Sequence, residues 1–300
     1  MGMWPPSTPP KAGNGNNDPG AYIPVKSTQH VCTPPHEMWF SWLVPLIFVA
    51  DIVAFVWTMY VNDCPAISKD CFLPSLGRFS FQPLSENYLV GPSAATLQKV
   101  GALILKLVVE EGETWRLISC MWLHAGVIHL LANMISLLFV GIRLEKEFGY
   151  WKIGLLFVLS GFGGSLASSV HSNQSTKIGA SSIPSVGASG ALFGLLGAML
   201  SELITNWTIY ANKCAALLTL VLVIALNMAV GFIPNVDTSA HVGGFLSGFF
   251  LGFILLVRPQ FGWVSSKHIP PGYNMRLLKP KHKSYQYILW ITAFVCLTIG

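Results

Sequence analysis

Ser189 stands in the run Gly187-Ala188-Ser189-Gly190, and His241 in Ala240-His241-Val242-Gly243-Gly244. A serine hydroxyl is a weak nucleophile until a base takes its proton, and neutral histidine is the usual base. His129 and Asn133 are four residues apart, so a helix carries both on one face. Aimed at the serine, they and the Ser189 backbone N–H could hold a developing oxyanion. The predicted chemistry is acyl transfer by a Ser189–His241 dyad. Taken singly, Ser, His and Asn serve more often as hydrogen-bonding links between membrane helices.

These side chains need elements to hold them. Charged residues are 10% of the 300, against about 25% in an ordinary soluble domain. Residues of the AVILMFWYC set make 52%. So few charges cannot cover a soluble globule. The net charge of +5 is small and not spread along a polar face, which excludes a nucleic-acid binder. Six cysteines are too few for a disulfide scaffold. The composition is that of a polytopic membrane protein.

A helical span needs about 20 mostly apolar residues. Stretches free of Asp, Glu, Lys and Arg run over Leu117–Ile142, Ile153–Thr176, Ile178–Ser201, Cys214–Val236 and Thr238–Val257. Met38–Asn62 joins them if Asp51 is tolerated near its middle. Ser284–Gly300 is apolar but only 17 residues long, a short or incomplete seventh span. The runs are continuous rather than alternating, which excludes a β-barrel. The predicted fold is an all-α bundle of six helices over 38–257, with a disordered tail over 1–37, a long outer loop over 63–114, a basic linker over 258–283 and a seventh span over 284–300. The tail is rich in Pro, Gly and Asn with no apolar core, so it does not read as a signal peptide.

Placing the N-terminus in the cytosol puts 12 of the 18 Lys and Arg on the cytosolic side. The decisive segment is Arg258–Lys283, with six basic residues and no acid. Spans 2, 4 and 6 then start at the outer face, which brings Ser189, His241, His129 and Asn133 to one shallow depth. Clustered there, these residues are hard to explain as helix links alone. Gly190, Gly194 and Gly197 on span 4, and Gly244, Gly248 and Gly252 on span 6, allow close backbone approach. His241 shares the glycine face of span 6.

Other polar residues have plainer readings. Asp237, four before His241, could complete a triad but reads as a helix N-cap. Asp51 and Glu202 read as interhelical hydrogen-bonding acids, with a functional role as the alternative. Arg143, Glu145, Lys146 and Glu147 read as a solvated network in a cytosolic turn. His124 reads as an interface residue that helps position the loop; His171, His268 and His282 receive no role. Pro92 followed by Ser93–Val109 predicts a helix that lies in the membrane interface or packs on the bundle. Cys64 and Cys71 share the outer loop and could pair in an oxidising compartment. Gly231–Ser239 is a candidate lid. Of two glycosylation sequons, Asn173 falls in an outer loop and Asn206 on the cytosolic side.

From Trp115 to Gly248 the chain resembles the rhomboid intramembrane serine proteases. The likeness rests on Trp115-Arg116, His124-x4-His129-x3-Asn133, Gly141-x3-Glu145-x3-Gly149, Gly187-Ala188-Ser189-Gly190 and Ala240-His241-x2-Gly244-x3-Gly248. The run Asn87–Ser93 and the six-plus-one layout are most similar to the plant secretase-type members. The resemblance implies a Ser189–His241 dyad, an oxyanion hole of His129, Asn133 and the Ser189 N–H, and no metal or organic cofactor. It implies single-span transmembrane substrates, with a small residue before the cut, and a Golgi, other secretory-pathway or plasma membrane. Inactive relatives lack the serine or the histidine, or carry Pro just before the serine; here both are present and position 188 is Ala. Many members have Tyr four residues after the serine, where this chain has Phe193. A phenyl ring can pack on His241 but cannot hydrogen-bond.

The alternative is a catalytically inactive rhomboid-like protein that binds transmembrane helices. A transporter would want polar or charged residues at the midplane and broken helices in paired halves; here the polar chemistry clusters near one face and the sequence has no internal repeat. There is no His-Glu-x-x-His for a zinc protease, and Ala191 breaks a lipase-type Gly-x-Ser-x-Gly elbow.

Overall fold

The computed structural model describes residues 39–177, 184–207, 212–230, 237–258 and 282–299. The expected tail, linker residues 259–281 and lid residues 231–236 lie outside these. Seven apolar helices follow in order: α1 (Leu43–Asn62), α2 (Val127–Phe148), α3 (Tyr150–Lys177), α4 (Ser189–Thr205), α5 (Lys213–Val230), α6 (Thr238–Leu255) and α7 (Ser284–Ile299). Four of them, α1, α2, α3 and α6, are long and apolar enough to cross a bilayer, and the other three are shorter apolar helices. Among the described residues, extended pairing is limited to two isolated bridges, Phe72–Phe81 and Leu103–Ser185. The chain is an all-α polytopic membrane protein.

The centre is built from α3, α4 and α6, and glycine makes it possible. A Cβ on Gly244 would stand 2.0 Å from the Gly190 carbonyl oxygen. One on Gly197 would stand 2.2 Å from the Phe245 oxygen, and one on Gly252 2.0 Å from Ser201 Oγ. The third partner was not foreseen: Gly163 and Gly164 of α3 face Ser247 and the Ala240 carbonyl. Without a hydrophobic drive between helices in lipid, van der Waals packing at such close backbone contacts is one of the forces that hold the helices together.

Several boundaries move. The second span starts at Val127, not Leu117: Arg116–Ser119 and Cys120–Trp122 are short separate turns, and Gly126 is extended at φ 175°. It runs on through Arg143–Glu147 to Phe148, because its acids find partners inside the protein. Glu145 is fully buried rather than solvated. Its Oε1 accepts the N–H groups of Trp42 and Leu43 at 2.9 and 2.8 Å, and its Oε2 accepts the Val44 N–H and Ser41 hydroxyl at 2.9 and 2.7 Å. One carboxylate thus satisfies the orphan donors that open α1. Gly141 admits Val44 beside it, and Gly149, at φ +86°, turns the chain against the Trp39 ring.

The expected helix Ser93–Val109 is broken into Ala94–Val100 and Leu105–Val109 by Gly101 at φ +120°. Leu97, Val100 and Leu103 are buried, which favours packing on the bundle. Cys64 and Cys71 form a disulfide. The fourth span, expected from Ile178, opens as a helix only at Ser189 and extends to Thr205. Asn173 lies in the last turns of α3 rather than in a loop, since no Gly or Pro interrupts Ser165–Lys177.

Of the two intramembrane acids, Glu202 accepts from Asn206 Nδ2 at 3.0 Å, a bond within the end of its own helix rather than the expected interhelical one, and lies 3.8 Å from Arg258 Nε beyond α6. Asp51 does not behave as expected: both carboxyl oxygens are buried and no hydrogen-bond partner reaches them among the described residues. The sequon residue Asn206 is fully buried and also donates to the Leu256 carbonyl. Gln286 anchors α7 to this corner by donating to the Arg258 carbonyl at 3.0 Å.

Candidate active site

Three helices begin at one end of the bundle and bring their first turns together. Ser189 is the first residue of α4 and is half-buried. Its Oγ lies 2.8 Å from Nε2 of His241, in the first turns of α6. The approach depends on the glycines of both helices: Gly190 faces the Ala240 carbonyl and Gly244 faces Gly190 itself.

The His241 ring is buried and stacks on Phe193, with centroids 4.4 Å apart and planes at 28°. Phe193 is one helical turn beyond Ser189, so α4 carries both the hydroxyl and the ring that orients the imidazole. Nδ1 of His241 has no hydrogen-bond partner among the described residues. Asp237 is not available to it. One Asp237 oxygen accepts the Ala240 N–H at 3.1 Å, an N-cap for α6, and the other accepts the Ser168 hydroxyl of α3. The arrangement is a pair, not a triad.

The third helix supplies donors. Gly187 has φ +132°, a region L side chains rarely adopt, and a Cβ there would stand 2.8 Å from Cε1 of His129 and 3.0 Å from its Nε2. His129 therefore lies over the turn that delivers Ser189. Nδ1 of His129 accepts the Ala125 N–H at 3.4 Å, which leaves the ring hydrogen on Nε2, the nitrogen nearest Gly187. Asn133 is buried, and its Nδ2 has no acceptor among the described residues. The first N–H groups of α4, Ser189's included, have no partner within their own helix. The site thus places a serine hydroxyl within hydrogen-bond distance of a buried imidazole, beside N–H donors that have no acceptor among the described residues.

His124 is not on α2 but in the loop before it, fully buried, its ring 5.3 Å edge-on to His129. Burial, and then the neighbouring His129, push its pKa down to about 3, so it is a neutral packing group against His129.

What the motifs did not reveal is how α2 is aimed. Its N-terminus has no side-chain cap. The carbonyls of Val90 and Leu89 instead accept the N–H groups of Val127 and Ile128 at 2.8 and 3.2 Å. Asn87 pins that loop by donating to the Ala125 and Pro92 carbonyls, each at 2.8 Å. Gly91 and Gly126 make room: a Cβ on either would fall within 2.2 Å of a backbone oxygen of the other strand of chain. The paired glycines were the available signal. Val90 pays for this with a φ of +60°, unusual for a β-branched residue.

The family model for the rhomboid domain matches residues 111–258. RHOMBOID-like protein 5 of Arabidopsis thaliana is 58% identical over 301 residues, spanning 100% of this chain and 93% of that protein. Inactive RHOMBOID-like protein 8 of the same plant is 42% identical over 240 residues, 80% of this chain and 65% of that protein. Rhomboid protease GluP of Bacillus subtilis (strain 168) is 35% identical over 144 residues, 48% of this chain and 26% of that protein.

Proposed function

The chain belongs to the rhomboid family, and we propose that it is an intramembrane serine endopeptidase that cuts transmembrane segments with the pair Ser189 and His241. The single observation that carries this is the 2.8 Å separation of Ser189 Oγ and His241 Nε2. His241 Nε2 takes the hydroxyl proton as Oγ bonds to the substrate carbonyl carbon. The carbonyl oxygen becomes an oxyanion, received by His129 Nε2–H, Asn133 Nδ2 and the Ser189 N–H. The C–N bond then breaks, and the proton on His241 goes to the leaving amine. Water, deprotonated by His241, next attacks the ester and restores the Ser189 hydroxyl. Phe193 takes the place of a third polar group by holding the imidazole plane.

The substrates proposed are single-span membrane proteins, cut near one end of the span. A peptide bond inside a helix is shielded and its polar groups are engaged, so the segment must unwind to reach Ser189. Unwinding is costly in lipid and cheapest near the interface. Charge distribution supports a cytosolic N-terminus, with Ser189 toward the outer leaflet of a secretory-pathway or plasma membrane. A relative named inactive, at 42% identity, supports the other reading, a protein that only binds transmembrane helices. The test is a reporter span with a Gly-Ala pair near its outer end, compared with an all-Leu span, in membranes holding the wild type or Ser189→Ala. Cleavage of the Gly-Ala span by the wild type alone is expected. Cleavage by neither protein would favour helix binding.

A further inference from the structure

The end of the bundle opposite Ser189 carries a second feature, unconnected with the catalytic pair. The π-helical turn Leu137–Gly141 of α2 passes into α-helix at Ile142. Just there Leu138, Phe139, Ile142, Arg143, Lys146 and Glu147 line an open groove of about 460 Å³. π-turns inside helices are frequent at functional sites. The groove is sorted by chemistry. Its apolar residues lie on the span side, and Phe139, 78% exposed, faces outward from the bundle. Its cations lie at the helix end, three residues apart on one face.

Arg143 and Lys146 are exposed, and neither has an ion-pair partner among the described residues. The acids beside them are committed elsewhere: Glu147 pairs with Arg258, and Glu145 caps α1. The groove therefore presents net positive charge. Its depth is marked by aromatic rings. Trp39, Trp42, Tyr150 and Trp151 are all exposed at this end, and the Trp39 N–H donates to the Lys146 carbonyl at 2.8 Å. Trp and Tyr gather at headgroup level. Two unpaired cations thus sit at headgroup depth above an apolar channel that runs into the span.

We infer that this groove binds one anionic phospholipid, its phosphate between Arg143 and Lys146 and an acyl chain along Leu138, Phe139 and Ile142. A free phosphate would use the cations but leave the apolar wall bare. A neutral lipid would use the wall but leave the charge unmet. The site would tie the α1–α2 end of the bundle to the leaflet, since Lys146 and Trp39 share a hydrogen bond and Glu145 holds the start of α1.

The test uses the purified full chain and native mass spectrometry. Phosphatidylglycerol is titrated against phosphatidylcholine of identical chains, with inorganic phosphate as competitor. One phosphatidylglycerol per chain should be retained in preference to phosphatidylcholine, undisturbed by equimolar phosphate. Arg143→Gln and Lys146→Gln should each weaken retention about fivefold, the scale of one cation near an anionic surface. Arg143→Lys should keep it. Phe139→Ala, exposed and therefore harmless to folding, should weaken it too, and carries the test if the Gln variants do not fold. Equal retention of the two lipids, displacement by phosphate, or wild-type retention by Phe139→Ala together with the charge variants would overturn the proposal.

Discussion

Gly248 lies so close to Gly194 that a Cβ added to Gly248 would stand 2.0 Å from the Gly194 carbonyl oxygen and 2.4 Å from its Cα. The clash is with backbone, so no rotamer relieves it. Ser189 and His241 sit one to two turns along the same two helices. Gly248→Val is expected to force α4 and α6 apart and to lose activity together with thermal stability in detergent. Gly194→Val, which would strike Ser160 of α3 and crowd the Gly244 carbonyl of α6, should disturb the same three-helix contact and lose activity and stability too. Full activity in either variant would contradict the close-packing account.

Asn133→Ala should be slower but not dead. One oxyanion donor is typically worth about 10²–10³ in kcat, and His129 and the Ser189 N–H would remain. The discriminating readout is a fall in kcat with little change in KM or melting temperature. Unchanged kinetics would assign the buried Asn133 amide to packing.

Glu145→Ala removes the acceptor for three backbone N–H groups and one hydroxyl at the start of α1. Each buried donor left unpaired costs about 1–3 kcal/mol. A marked fall in melting temperature is expected, with the kinetics of the surviving folded fraction near wild type. Glu145→Gln, which keeps an acceptor, should fall less.

His124 should make the protein acid-sensitive. Its folded pKa is pushed from the ordinary 6.5 to about 3 by burial. Below pH 6.5 the unfolded chain binds a proton that the folded chain refuses, so this contribution to stability is complete above 6.5 and falls as pH drops toward about 3. His124→Leu should flatten that part of the stability–pH curve. An identical slope in both proteins would show that His124 does not stay neutral in the fold.

Helix number and order were readable because each span is a long apolar run. Helix ends were less so. Counting charge-free stretches cut α2 short at Ile142, since it could not see that Glu145 is buried by the N-terminus of α1. It also began α2 ten residues early, because Leu117–Trp122 is free of charge yet wound into short turns. Gly190, Gly194, Gly244 and Gly248 announced the α4–α6 contact through their spacing, whereas α3's part in it, through Gly163 and Gly164, was passed over. The pairing of Ser189 with His241 could be expected from shared depth. The aiming of His129 could not, because it rests on the Leu89 and Val90 carbonyls, and a backbone acceptor leaves no residue type to read.

The measurement closest to the central claim is covalent labelling in native membranes with a fluorophosphonate probe, which reacts with a serine only when a base activates it. The wild-type chain should label at one site, Ser189. Ser189→Ala should not label at all, and His241→Ala, which leaves the hydroxyl but removes the base 2.8 Å away, should label little or not at all. Absence of label on a folded wild-type chain, or equal labelling of the His241→Ala protein, would contradict a Ser189–His241 catalytic pair.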